Sequence, residues 1–120
     1  MRAVMTFGAA VIFMVCANAG DGWKPKPLTG EFMLYSGGLG DSGTPTKSNA
    51  KINFRIYGDA ARQMFENMSA KSQKPNICAG YGNVMRVRGN IECDKAPEGS
   101  IECFIGIDLK SGKTVYGVIC

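Results

Sequence analysis

The 120-residue chain contains no histidine. That absence excludes Ser-His-Asp and Cys-His nucleophilic catalysis, in which an imidazole relays the proton. It also removes the commonest metal ligand. Trp23 is the only tryptophan. The five cysteines include no CxxC pair, so the close-spaced clamp typical of zinc sites is missing. Basic residues number 14 against 10 acidic ones and the two signs are interleaved, without the dense basic stripe of a nucleic-acid binder. Only one long apolar run exists, at the N-terminus.

That run reads as an address. Arg2 is followed by an almost wholly apolar stretch over residues 3–15, then by Ala17, Asn18 and Ala19. Charge, short apolar core and small-x-small exit are the order of a secretory signal peptide. The run is shorter than the ~20 residues needed to span a bilayer. Val15 is too large for the position before a lipidated cysteine, so Cys16 is expected to leave with the leader. The expected organisation is a cleaved signal over residues 1–19 and one domain over residues 20–120, located in the periplasm or secreted, with no membrane span after cleavage. The leader carries one base, Arg2, and no acid, which leaves the domain with a net charge of +3.

Cys78, Cys93, Cys103 and Cys120 remain. An even number in a short exported chain predicts a disulfide framework. The tripeptide Ile-Glu-Cys occurs at 91–93 and again at 101–103. In a hairpin centred near Glu98, Cys93 and Cys103 lie opposite each other on one face and can bond. Cys78 and Cys120 are then left as the second bridge, which would hold the C-terminus.

The remaining pattern predicts an α+β fold: a small antiparallel sheet with one amphipathic helix packed on one face and two disulfides. Pro25 and Pro27 make the start an extended arm. Residues 31–35 suit a first strand, and the Gly-, Ser- and Thr-rich residues 36–49 a long loop. Ile52, Phe54 and Ile56 alternate with polar residues as in a half-buried strand. Asp59 is placed to cap a helix, and Ala61, Met64, Phe65 and Met68 recur at helical spacing. Met85, Val87, Gly89, Ile91 and Cys93 alternate with Arg86, Arg88, Asn90 and Glu92, which predicts one long strand. Residues 101–108 and 114–120 read as two more, separated by the turn 110–113.

Few motifs carry chemistry. Gly38, Gly40 and Gly43 spell a dinucleotide fingerprint, but Thr44, Pro45 and Thr46 follow where the fingerprint requires a helix. Gly37 to Asp41 loosely matches a single calcium-binding repeat, with the aspartate one place early. Ser111 and Lys113 could form a Ser-Lys pair, though turns of this composition are common for steric reasons. Glu92 and Glu102 are the carboxylates a hairpin could bring together for acid-base work; on a solvated polar face they would have no cleft. No cofactor and no metal are expected. Binding material is better represented. Arg, Tyr and Trp are the residues enriched at interface hot spots, and Trp23, Tyr81, Arg86 and Arg88 are the candidate contact residues.

The run Gly106-Ile107-Asp108-Leu109-Lys110-Ser111-Gly112-Lys113, closing with Gly117-Val118-Ile119-Cys120, resembles a group of small exported proteins of Gram-negative bacteria. Residues 35–41 and 58–65 resemble the same group. The resemblance implies a periplasmic setting and carries no activity with it. The sequence therefore predicts a non-enzymatic binding protein whose partner is another periplasmic or envelope protein, such as an inhibitor or immunity protein against an envelope-acting hydrolase or toxin. The alternatives are a structural component of an envelope assembly and, third, a hydrolase using Glu92 and Glu102.

Overall fold

The computed structural model describes residues 24–72 and 82–118. The expected leader and its expected cut, Trp23, Tyr81 and the expected bridge between Cys78 and Cys120 lie outside these residues. The described chain forms β1 (Gly30–Gly38), β2 (Asp41–Gly43), β3 (Lys51–Ile56), α1 (Gly58–Asn67), β4 (Val84–Arg88), β5 (Ile91–Lys95), β6 (Ile101–Asp108) and β7 (Thr114–Val115). The strands join in one antiparallel sheet of order β2-β1-β3-β6-β5-β4, and β7 also pairs with β6. The architecture is a small antiparallel sheet with one helix against it.

The helix forms on the expected stripe. Ala61 and Phe65 are buried, and Met64 and Met68 pack against the same cluster. Asp59 does not cap it. The cap position is Tyr57, without a side-chain bond, and Asp59 sits in the first turn. Its carboxylate instead takes hydrogen bonds from Arg62 and from Gln63 Nε2 at 2.6 Å, on its own helix. These contacts hold Asp59 below the usual carboxylate range, through Arg62 first and Gln63 second.

Three sequence expectations need correction. Residues 36–49 are not all loop: β1 runs on to Gly38 and folds back as β2, with Gly37 opposite Ser42. The last strand stops at Val115, because residues 116–118 leave the ladder and lie over the sheet. The long strand over 85–93 is a hairpin, with Arg88 paired to Ile91 across a two-residue loop. Gly89 has φ +58°, and glycine first in a two-residue loop is the choice that matches strand twist.

This last difference reorganises both faces. In a single strand, Met85, Val87 and Cys93 would share a side. The turn inverts that relation. Arg86 pairs with Cys93, while Val87 pairs with Glu92 and Met85 with Asp94. Adding β6, where Glu92 meets Phe104, Cys93 meets Cys103 and Asp94 meets Glu102, defines two unlike surfaces.

One surface carries Cys93, Cys103 and Ile101 beneath α1. The Cys93–Cys103 disulfide forms in the expected register, with both residues fully buried. Phe65 is clasped there by Arg86, whose guanidinium lies 4.3 Å from the ring centroid, and by Lys95 at 5.9 Å. Burying a phenylalanine side chain contributes about 2–3 kcal/mol.

The opposite surface carries Tyr35, Asn53, Phe104, Glu92 and Asp94, all buried. Its cover at the β6 end is the tail. Gly117 approaches so closely that a Cβ there would meet Gly106 N and the Ile105 carbonyl carbon at 2.7 Å. Asn53 Nδ2 donates to the Gly117 carbonyl, and the Tyr116 hydroxyl donates to Glu92 Oε2 at 3.1 Å.

Candidate functional site

Two surfaces compete for a role. The first is the carboxylate row on the tail side. Glu92 and Asp94 are two residues apart on β5 and point the same way, and Glu102 stands across from Asp94. The expectation of a solvated pair made of Glu92 and Glu102 is therefore corrected. Glu92 is 1% exposed. Its direct neighbours in register are Val87 and Phe104, because the turn at Gly89 brings the apolar side of β4 to this face. The carboxyl in side-chain contact with Glu92 is that of Asp94, which sequence reasoning did not single out. Its carboxyl is pushed up to about 6, by burial first, then by the charge and hydrogen bond of Glu92, then by the charge of Glu102. Glu92 Oε1 and Asp94 Oδ1 are both buried and find no donor among the described residues.

Glu102 is different. Arg55 Nη2 reaches both its oxygens at 2.9 and 3.0 Å, and Arg55 Nε adds a third contact at 3.2 Å. The same guanidinium lies 5.0 Å from the Tyr57 ring centroid and 5.9 Å from that of Phe104. Its protonated form is held more firmly than usual: burial opposes the charge, and the bond and charge of Glu102 outweigh it. Beside this pair a shallow cleft of about 380 Å³ is lined by Tyr57, Asp59, Arg62, Ser100 and Glu102, among others. Its charges are already matched, Asp59 with Arg62 and Glu102 with Arg55.

The second surface lies on the helix side, beyond the helix. α1 packs on β6 and β5. Farther out, register aligns Phe32 with Phe54 and Ile105, and Leu34 with Ile52 and Ile107. These six apolar side chains form two cross-strand rows on one sheet face. Phe32 is 67% exposed and Leu34 45%, and the other four are half-buried. The signal in the sequence was the run Phe32, Met33, Leu34, Tyr35, too apolar for a strand with one wet face. Tyr35 and Asn53 go to the tail side, and Phe32 and Leu34 stay on this one.

The sequence-derived contact residues separate. Arg86 Nη1 donates to the Phe65 carbonyl at 2.6 Å and Arg86 Nε to Ser72 Oγ at 3.3 Å, tying the end of α1 to β4. Arg88 is exposed at the end of β4. Trp23 and Tyr81 lie outside the described residues. The glycine run forms the β1–β2 hairpin, with no helix after it. Ser111 and Lys113 belong to a turn in which Asp108 Oδ1 accepts from the amides of Lys110 at 2.9 Å and Ser111 at 3.2 Å. Those amides, Ser111 first, lower the Asp108 carboxyl. Ser111 Oγ accepts from the Lys113 amide at 3.2 Å. The run from Asp108 to Lys113 thus builds a turn at this end of the sheet.

Among the described residues no group of three or more His, Cys, Asp or Glu could hold a metal ion, and no helix is long and apolar enough to cross a membrane. Comparison with protein-family models, with curated proteins and with solved structures finds no match.

Proposed function

We propose that this chain is a small exported binding protein that acts on another protein of the periplasm or envelope, as an inhibitor or immunity factor against a hydrolase or toxin, and that it binds through the apolar rows on β1, β3 and β6. The observation that carries this reading is the exposed pair Phe32 and Leu34 on an otherwise half-buried sheet face. Contiguous exposed apolar area of this kind marks interaction sites, and the exposed ring of Phe32 supplies an anchor. The signal-like leader and the resemblance to small exported proteins support the compartment, and a buried disulfide suits an oxidising one.

The hydrolase reading finds less support. Glu92 and Glu102 share a face but are not opposite each other, Glu102 is held by Arg55, and Glu92 is sealed beneath Tyr116. A general acid must come within hydrogen-bond reach of its substrate. The envelope-component reading uses the same apolar face for self-association.

The deciding experiment titrates the purified protein against a panel of peptidoglycan-cleaving and proteolytic envelope enzymes, with sizing of each mixture. A one-to-one complex with inhibition that weakens at least tenfold in Phe32→Ser supports the proposal. Inhibition unchanged by Phe32→Ser moves the contact elsewhere. No complex with any enzyme, together with concentration-dependent oligomers abolished by Phe32→Ser, transfers the role of this face to assembly.

A further inference from the structure

The tail side of the sheet holds an arrangement that the binding proposal does not use. Glu92 and Asp94 are buried next to each other, and each presents an oxygen without a donor among the described residues. Ionised carboxylates only accept hydrogen bonds. Two of them in contact therefore need one proton between them, which makes one group the donor and satisfies both oxygens.

Among the described residues the surroundings offer no other partner for that charge. From β4 the facing residues are Met85 and Val87, both apolar. From β6 they are Phe104 and the anionic Glu102. The strand cations that share this face are Arg55, already bonded to Glu102, and Lys51, which donates to the Gly37 carbonyl at 2.7 Å. β3 also contributes the neutral Asn53. Arg86 and Lys95 belong to the opposite face, over Phe65. From the tail comes Tyr116, whose hydroxyl donates to Glu92 Oε2.

We propose that the proton shared by Glu92 and Asp94 is a latch that keeps residues 116–118 seated on the sheet, and that its loss frees this tail and uncovers the face carrying Asn53 and Phe104. Three contacts seat the tail: Tyr116 on Glu92, Asn53 on the Gly117 carbonyl, and Gly117 packed against Gly106. With the proton on Asp94, its hydroxyl donates to Glu92 and fixes that side chain as the acceptor for Tyr116. Without it, two anions stand in contact in an apolar setting, with Glu102 as a third beside them, and like charges there repel strongly. The cheapest relief is for water to enter, and the tail is the movable cover. The raised titration point of Asp94, about 6, places this change in the mildly acidic to neutral range.

The test is amide hydrogen exchange on the oxidised protein at pH 5 and pH 8, corrected for the intrinsic rate. The amide of Gly117, a buried residue, is the reporter and the Cys103 amide, beneath the helix, the control. The latch predicts a loss of protection at Gly117 between the two values at least tenfold larger than the loss at Cys103, which follows global stability. In Asp94→Asn, whose amide donates at every pH, protection at Gly117 should be independent of pH. Equal protection at both values, an equal loss at Cys103, or a pH dependence that survives Asp94→Asn overturns the proposal. Should Asp94→Asn fail to fold, carboxyl-carbon NMR of the unaltered protein decides. An Asp94 carboxyl that titrates near 6 supports the latch, and one that titrates in the ordinary carboxylate range overturns it.

Discussion

The two faces of this sheet bury different chemistry under different covers. Beneath α1 the cover is a helix and the contents are Phe65, Ile101 and a disulfide, all of them groups that gain by leaving water. Beneath the tail the cover is three residues of irregular chain, and the contents include Asn53, Glu92 and Asp94, groups that lose hydration when buried and recover it only through specific bonds. The first face depends on area. The second depends on a small number of donors and acceptors, each of which matters. The helix face should therefore respond to loss of volume or of the covalent tie, and the tail face to pH and to single polar deletions.

Phe65→Ala gives the largest expected effect. It empties the centre of the helix face and removes the ring held by Arg86 and Lys95. A loss of about 3–5 kcal/mol is expected, measured by urea unfolding. Removing the Cys93–Cys103 bond by double replacement with alanine opens a ten-residue separation and should cost about 2–4 kcal/mol, with little pH dependence.

The tail face should show the opposite profile. The folded Asp94 carboxyl binds its proton near pH 6, whereas the unfolded one does so near 3.8. The stabilisation is thus complete below about pH 4, is lost as pH rises through 6, and is absent above it. A fall of about 2 kcal/mol between pH 4 and pH 8 is expected in urea midpoints, and it should vanish in Asp94→Asn. A profile equally steep in that variant would assign the slope to some other group.

Asn53→Ala leaves the buried Gly117 carbonyl without its donor, at a cost of about 1–3 kcal/mol. Unlike Phe65→Ala, it should also raise exchange in residues 116–118 selectively. Arg62→Ala is the smallest change. It removes exposed contacts to Asp59 and Glu66 on α1, and a loss below about 1 kcal/mol in thermal unfolding is expected.

Much of the helix face was legible in advance. The spacing of Ala61, Met64, Phe65 and Met68 is local information, and so is the repeated Ile-Glu-Cys that sets the register of Cys93 against Cys103. The tail face was not legible. The alternation from Met85 to Cys93 reads as an unbroken strand, since a two-residue turn leaves the count of polar and apolar residues intact. Only the positive φ of Gly89 reverses the chain there. That reversal sends Glu92 to the apolar side of β4 and Arg86 to the helix, the opposite of what alternation implies.

What the amino-acid order determined by itself is short in range: one amphipathic helix, alternating strands, and a hairpin that pairs two cysteines. What only the tertiary structure decided is long in range: the apolar rows on β1, β3 and β6 that leave Phe32 and Leu34 exposed, and the buried carboxyl pair with Tyr116 seated on Glu92. Local periodicity states which residues share a side of one element. It does not state which other element will cover that side, because burial is the property of two surfaces meeting, and those surfaces come from residues far apart in the chain.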